Sequence, residues 1–129
     1  MSKILVVDDS EDLLDLLTVM LRIKGHEVST AYGIVDAIKK VDSFSPDLIM
    51  IDVLLGNRSG KELCKTIKKS KSYIPVMLMS ASPPLLKNFK ECKADDFIDK
   101  PFDITELNTK IDALLIPALN KKTTGSLHT

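Results

Sequence analysis

Short apolar runs alternate along this chain with stretches in which hydrophobic residues recur at helical spacing. The apolar runs are rich in Ile, Val, Leu and Met and stop abruptly at polar residues, which is typical of buried strands in a parallel sheet. Such strands are predicted at residues 3–7, 27–31, 48–51, 76–79 and 97–98. The third run is apolar at every position, as expected for a strand that is covered on both faces.

The intervening stretches predict helices with recognisable ends. Ser10 is expected to cap a first helix that carries acids in its first turn and ends at Gly25. Asp103 and Glu106 form a capping-box pair before a last helix, which Pro117 is expected to stop. Between them, helices are predicted over residues 34–41, with Ile34, Ile38 and Val41 inward, from Gly60 onward, and from Pro83 to about Cys92, where the periodicity is poor.

Five strands alternating with five helices predict a three-layer α/β fold built on a five-stranded parallel sheet. Residues 1–117 are predicted to form one domain, because 129 residues is the length of a single domain and no internal repeat is present. Residues 118–129 are polar and contain Gly and Ser, so they are expected to be a flexible tail or a truncated linker.

Composition argues against several classes of protein. The two cysteines, Cys64 and Cys92, do not form a Cys-x-x-Cys pair, so neither a zinc site nor a disulfide framework is expected. A reduced, cytoplasmic setting is predicted. No apolar stretch is long enough to span a bilayer and the N-terminus lacks the apolar segment of a signal peptide, so no membrane association is expected.

Charge is unevenly distributed even though 18 bases balance 18 acids. Residues 1–52 carry ten acids and five bases, whereas residues 58–93 carry nine bases and two acids. We interpret this basic block as a solvated helix face, because aromatic residues are only 5% of the chain and no nucleic-acid recognition motif is present. Direct nucleic-acid binding is therefore not expected. Residues 56–61 resemble a phosphate-binding loop but are one residue short between the glycines.

Polar residues directly follow four of the predicted strands. Asp8 and Asp9 follow the first strand, Asp52 the third, Ser80 the fourth and Lys100 the fifth. Because parallel strands end on one edge of their sheet, where α/β proteins bind their ligands, these side chains are expected to serve one site. Three carboxylates in one crevice repel one another and need a cation.

The chemistry of these groups favours magnesium and phosphoryl transfer. Oxygen ligands without His or Cys suit Mg²⁺, which readily shares its coordination shell with a phosphate. An aspartate carboxylate is a competent nucleophile for phosphoryl transfer when the charge is neutralised from both sides. Asp52 is the candidate nucleophile, with the metal on one side and the Lys100 ammonium on the other. The Ser80 hydroxyl is expected to donate to a phosphoryl oxygen.

Asp8-Asp9, Asp52, Ser80-Ala81 and Lys100-Pro101, in this order on a βα pattern, closely resemble the receiver domain of two-component response regulators, including chemotaxis regulators. The resemblance covers residues 3 to about 116. It implies a flavodoxin-like (βα)5 fold with strand order 2-1-3-4-5, and it makes Asp52 the phosphoacceptor.

The resemblance also implies roles for individual residues. Asp9 would bind Mg²⁺ directly and Asp8 mainly through water, with the main-chain carbonyl of Leu54 as a further ligand beside Asp52. Ser80 stands where the family has a Ser or Thr that moves toward the phosphoryl group. Phe97 stands where the family has an aromatic residue that changes rotamer at the same time.

Three features depart from the family pattern. Gly56 stands where proline is common, Lys93 stands where glycine often ends the fourth helix, and the stretch from residue 80 to residue 100 is short and contains Pro83-Pro84. Lys93 would then need a mildly strained left-handed backbone. The fourth helix is expected to be short or mobile, which affects the output surface rather than the chemistry.

The resulting hypothesis is a phosphorylation-dependent signalling switch. Asp52 would accept a phosphoryl group from the phosphohistidine of a histidine kinase or phosphotransfer protein, and the modification would change a partner-binding face or promote a dimer. The protein would catalyse only its own phosphorylation and dephosphorylation. The sequence indicates neither the cognate kinase nor the downstream effector.

Two alternatives were weighed against this hypothesis. A Mg²⁺-dependent phosphatase with an aspartyl nucleophile would need Asp-x-Asp after the first strand, where this chain has Asp8, Asp9 and Ser10. A receiver-like module that binds partners without phosphorylation would be expected to lack an acid or the lysine, and all of them are present.

Overall fold

The computed structural model describes the backbone of residues 2–128 and the side chains of residues 2–116. The main-sheet strands are β1 (Lys3–Val7), β2 (Glu27–Ala31), β3 (Leu48–Asp52), β4 (Val76–Ser80) and β5 (Asp96–Asp99). The α-helices are α1 (Glu11–Ile23), α2 (Ile34–Phe44), α3 (Gly60–Ser70) and α4 (Ile104–His128). Two short strands, Leu54–Leu55 and Arg58–Ser59, pair as a hairpin before α3, and two 3₁₀ helices, Pro83–Leu86 and Phe89–Cys92, precede β5.

The five main strands form one parallel sheet in the order β2-β1-β3-β4-β5, which confirms the predicted order 2-1-3-4-5. Successive residues of β3 point to opposite faces, so Ile49 and Ile51 enter one core while Leu48 and Met50 enter the other. Helices α1 and α4 cover the second face, and α2, α3 and the 3₁₀ segment cover the first. The fold is therefore the predicted three-layer, flavodoxin-like arrangement.

Helix starts largely follow the predicted capping residues. Ser10 caps α1, with its Oγ accepting a hydrogen bond from the backbone N–H of Leu13 at 3.3 Å. Asp103 Oδ1 accepts from the N–H groups of Thr105 and Glu106 at 2.7 and 3.3 Å before α4. One predicted inward position is wrong: Ile38 of α2 is 39% exposed. The residues of α2 that are buried are Ala37 and Val41.

The predicted fourth helix is replaced by the two 3₁₀ helices. Pro83 and Pro84 occupy the first two positions of the first 3₁₀ helix, where a backbone N–H would have no acceptor within the helix, so their missing N–H groups are tolerated there. The turn closes through hydrogen bonds between residues three apart, with the N–H of Leu85 donating to the Ser82 carbonyl at 3.0 Å. Lys93 follows with a φ of 66°, the left-handed conformation that its position predicted.

The last helix continues beyond the predicted stop at Pro117, since α4 spans Ile104–His128. A proline removes one hydrogen bond and does not oblige the residues after it to leave the helical conformation. The flexible tail at residues 118–129 and the domain boundary at residue 117 stay predictions. The side chains of residues 117–129 lie outside the described set. Although α4 has 25 residues, no helix in the described part of the chain is long and apolar enough to cross a membrane.

Gly60 brings the start of α3 directly onto the end of β3. Its N–H donates to the carbonyl of Val53 at 2.7 Å. A Cβ atom at Gly60 would lie 2.0 Å from the Asp52 carbonyl oxygen and 2.7 Å from Cγ2 of Ile51. The absence of a side chain therefore sets how closely α3 approaches the strand that carries Asp52.

We expect Gly60→Ala to lower the free energy of unfolding by about 2–3 kcal/mol, because the new methyl group collides with backbone that cannot rotate away. Gly33→Ala is the matched control, since nothing lies within 4 Å of a Cβ built there and its φ of −156° suits any residue. It should cost less than about 1 kcal/mol. Urea unfolding measures both, and a Gly60→Ala protein as stable as the parent would contradict the prediction.

Candidate functional site

Three carboxylates meet where β1 and β3 end. Asp8 and Asp9 directly follow β1, and Asp52 is the last residue of β3. Each offers a carboxylate oxygen, and these oxygens lie within 4.8 Å of one another. Asp8 is fully buried, Asp52 is 7% exposed and Asp9 lies at the surface. The sheet therefore assembles an acidic cluster from residues 44 positions apart in sequence (Asp8 and Asp52).

The backbone around each carboxylate orients it. The N–H of Ser10 donates to Asp8 Oδ1 at 2.9 Å, and the N–H of Leu54 donates to Asp52 Oδ1 at 3.3 Å. The N–H of Gly56 reaches across from the hairpin and donates to Asp9 Oδ2 at 2.9 Å. These bonds leave each group with further lone pairs for another ligand.

The backbone conformation of Gly56 explains why this chain lacks the proline that is common at this position in the family. Its φ is 62°, which proline cannot adopt and which favours glycine. Proline would also lack the N–H that Gly56 donates to Asp9. The glycine thus links the hairpin directly to the acidic cluster.

The Lys100 ammonium places a positive charge inside the acidic cluster. Its Nζ donates to Asp8 Oδ2 at 2.6 Å and to Asp52 Oδ2 at 3.2 Å. The lysine is carried to this position by β5, and its N–H continues the strand pairing by donating to the Ser80 carbonyl at 2.8 Å. The Lys100-Pro101 peptide bond is cis.

One ammonium does not balance three carboxylates. Burial raises the pKa of Asp52 and the charge of Asp8 raises it further, while Lys100 opposes both. Burial lowers the pKa of Lys100, but its hydrogen bonds and charge interactions with Asp8 and Asp52 outweigh burial, so the pKa is raised overall. With all groups ionised, the cluster carries two excess negative charges, which one divalent cation would balance.

The donor set fits a hard cation. The three candidate ligands are all carboxylate oxygens, and no histidine or cysteine belongs to the cluster. Leu54, whose carbonyl the family resemblance implies as a further ligand, begins the hairpin two residues after Asp52. Its ligand role stays a prediction.

Ser80 ends β4 at the same sheet edge and is 2% exposed. Its Oγ accepts from the N–H of Ser82 at 3.0 Å and lies 3.3 Å from the Ser82 carbonyl oxygen, to which it donates. The hydroxyl is therefore engaged with its own loop rather than with Asp52.

Phe97 lies half-buried on β5, next to the 3₁₀ segment. Its ring centroid is 4.8 Å from that of Phe89, with the planes at 53°. Lys110 Nζ lies 4.8 Å from the Phe97 centroid and donates to the Phe97 carbonyl at 2.6 Å. Phe97 is thus held from both sides.

Comparison with known proteins identifies the family. The model of the response regulator receiver domain matches residues 4–112. This chain belongs to that family. Receiver domains are signalling domains, and the acidic cluster lies where the receiver motif predicted it.

Individual relatives agree with this assignment. The chain is 37% identical over 115 residues to the alkaline phosphatase synthesis transcriptional regulatory protein PhoP of Bacillus subtilis. The match covers 88% of this chain and 48% of PhoP, so the receiver spans about half the length of that relative.

Solved receiver structures share the fold. The receiver domain of NtrX from Brucella abortus is 32% identical with a TM-score of 0.82, covering 87% of this chain and 97% of NtrX's domain. TrrA from Thermotoga maritima, solved with Mg²⁺ and beryllofluoride, is 33% identical with a TM-score of 0.82, covering 89% of this chain and all of TrrA.

Two contacts of this receiver were not found from the sequence. The interaction of Lys110 with Phe97 depends on how α4 packs against β5, which periodicity does not specify. Lys68, placed in the solvated basic block, is buried and donates to Asp95 Oδ2 at 2.7 Å and to the Ile74 carbonyl at 2.6 Å. Lys68 lies four residues after Cys64 and one after Ile67, on the buried stripe of α3, so helical spacing was the signal that could have found it.

We expect Asp52→Asn to stabilise the cation-free protein at neutral pH by about 1 kcal/mol, the usual size of a single substitution. Because folding raises the pKa of Asp52, the associated stability is present at low pH and lost as pH rises through that pKa. The variant escapes this loss, so its advantage should shrink as pH falls.

Chemical unfolding between pH 4 and pH 8 with a chelator present measures the effect. Asp15→Asn, on the exposed face of α1, is the matched control and should show no such pH-dependent gain. A less stable Asp52→Asn protein at neutral pH would refute the prediction.

Proposed function

We propose that this receiver is switched by phosphoryl transfer to Asp52. The observation that carries the proposal is the position of the Asp52 carboxylate, 3.2 Å from Lys100 Nζ and inside an acidic cluster with two excess negative charges. A nucleophile placed between a fixed ammonium and a cation site is suited to attack a phosphoryl group.

Asp8, Asp9 and Asp52 would hold Mg²⁺, with Asp8 mainly through water and the Leu54 carbonyl as a further ligand. Bound Mg²⁺ would offset charge on the carboxylates and on the phosphoryl oxygens. The complex of TrrA with Mg²⁺ and beryllofluoride supports this assignment by similarity.

The remaining steps belong to the chain's own side chains. The Asp52 carboxylate would attack phosphorus as the bond from phosphorus to the donor histidine breaks, giving an acyl phosphate. Lys100 Nζ, already a donor to Asp52, would then donate to a phosphoryl oxygen.

Ser80 would couple this change to the fold. To reach a phosphoryl oxygen its hydroxyl must leave Ser82, with which it exchanges hydrogen bonds at 3.0 and 3.3 Å. Its departure would free the loop ahead of the 3₁₀ segment, and Phe97 would readjust against Phe89 and Lys110. These events would alter the output surface, with dimerisation as one result.

The partner would be a histidine kinase or a histidine phosphotransfer protein in the cytoplasm. A cavity of about 400 Å³ lies beside Lys100, between α1 and the start of α4, and it is mainly apolar. Its rim includes Leu16 of α1, which is 56% exposed. An apolar surface next to the phosphoacceptor suits a protein donor better than a small ester. The proposal also covers the activity, effector and partners of a protein in which this receiver is one part.

Acetyl phosphate with Mg²⁺ should place one phosphoryl group on each chain, seen by intact mass, and beryllofluoride should bind with the same stoichiometry. Asp52→Asn should abolish both, as should removal of Mg²⁺, while Asp15→Asn should react normally. Lys100→Gln should slow phosphorylation by at least about tenfold, the usual cost of losing a charge-stabilising donor.

Absence of modification with no Mg²⁺ binding would refute the proposal. Repeated turnover of unrelated phosphate esters would indicate a phosphatase instead.

Beryllofluoride should also change amide hydrogen exchange in residues 81–97, because the Ser80 hydroxyl leaves the loop that begins there. Ser80→Ala should still bind beryllofluoride but should show a smaller change in that segment. Residues 14–21 of α1 provide the internal reference. Unchanged exchange in residues 81–97 of the parent protein would rule out this route from Asp52 to the output surface.

A further inference from the structure

The fold brings the chain's two cysteines into contact. Cys64 lies on α3 and Cys92 ends the second 3₁₀ helix, 28 residues later. Both residues are buried, and Cys64 Sγ lies 3.2 Å from the Cys92 carbonyl oxygen. Cys92 Sγ in turn lies 3.2 Å from the Phe89 carbonyl oxygen, to which it donates. Such contact between elements distant in sequence satisfies the first requirement for a disulfide.

The surroundings of the pair are electropositive and reachable from solvent. A cavity of about 240 Å³ opens beside Cys92. It is lined by four lysines, Lys65, Lys68, Lys69 and Lys93, and by Glu91. Positive charge near a thiol favours its thiolate, the form that reacts with oxidants.

The two thiols differ in their pKa values. The hydrogen bond from Cys64 lowers the pKa of Cys92 to about 6, against the effect of burial and with help from nearby N–H groups and Lys61. The same bond, together with burial, raises the pKa of Cys64. Cys92 is therefore the more readily ionised of the two thiols, and Cys64 the less readily ionised.

We propose that Cys64 and Cys92 form a reversible dithiol–disulfide pair that hydrogen peroxide oxidises. The Cys92 sulfur attacks one peroxide oxygen, the O–O bond breaks, and the thiol proton of Cys92 passes to the departing hydroxide, so that Cys92 sulfenic acid and one water result. The Cys64 sulfur then attacks the Cys92 sulfur, and the departing hydroxide takes the Cys64 proton as a second water. The two sulfurs lose two electrons and the peroxide gains them. A dithiol reductant reverses the reaction.

The bond would tie α3 to the 3₁₀ helix that also carries Phe89, whose ring packs against Phe97. This consequence rests on the proposed function, because it matters only if Phe97 responds to phosphorylation. Oxidised protein should then show a smaller beryllofluoride-induced change in exchange over residues 81–97. Disulfide formation itself is independent of Asp52.

Peroxide treatment of the reduced, folded chain, followed by iodoacetamide, tests the pair by intact mass and peptide mapping. The chain should lose the mass of two hydrogen atoms, resist alkylation, yield a Cys64–Cys92 linked peptide and recover with dithiothreitol. Cys64→Ala should trap Cys92 as a sulfenic acid that dimedone labels, whereas Cys92→Ala should leave Cys64 unmodified.

Lys61→Gln is a variant outside the pair, and it should oxidise more slowly, because the Lys61 charge favours the ionised form of Cys92. Lys39→Gln, on the exposed face of α2, is its matched control. A disulfide that forms only in urea or only between two chains would overturn the proposal, as would equal alkylation of both cysteines after peroxide treatment. None of these measurements involves phosphorylation, so failure here and failure at Asp52 are distinguishable.

Discussion

Repulsion among carboxylates at the end of a parallel sheet is the constraint on which this molecule depends. Asp8 and Asp52 are buried beside each other because β1 and β3 are neighbours and end on the same edge. Lys100 bonds to both, and with the exposed Asp9 the cluster still carries two excess negative charges. Excess negative charge that is partly buried is costly to the fold, so the same arrangement that makes the site receptive to a cation suits it to phosphoryl chemistry.

The site and the output region are joined by backbone rather than by long side chains. The Ser80 carbonyl accepts from Lys100 N–H, and the Ser80 hydroxyl holds the loop of Ser82. If the Ser80 hydroxyl changed partner as proposed, the loop would change while the strand pairing stayed intact. Phe97 follows that loop in sequence, and its ring contacts Phe89 on one side and Lys110 on the other. A shift of either neighbour would therefore change the position of the Phe97 ring.

The segment between β4 and β5 is built differently from the rest of the helical layers. Two 3₁₀ helices follow Ser82, and the second ends at Cys92, whose carbonyl oxygen lies 3.2 Å from Cys64 Sγ. The carboxyl end of the sheet keeps its regular geometry, because β4 and β5 stay paired up to Ser80 and Asp99.

The sequence by itself determined the strand runs, the capping residues Ser10 and Asp103, and the convergence of Asp8, Asp9, Asp52 and Lys100, because parallel strands must end on one edge. It could not place Ile38, the end of α4 or the two 3₁₀ helices, since these depend on packing against neighbouring elements. Only the tertiary structure decided that Lys68 pairs with Asp95, that Lys110 contacts Phe97 and that the two cysteines meet. Each of these contacts joins residues distant in sequence, and local pattern carries no information about which of them meet.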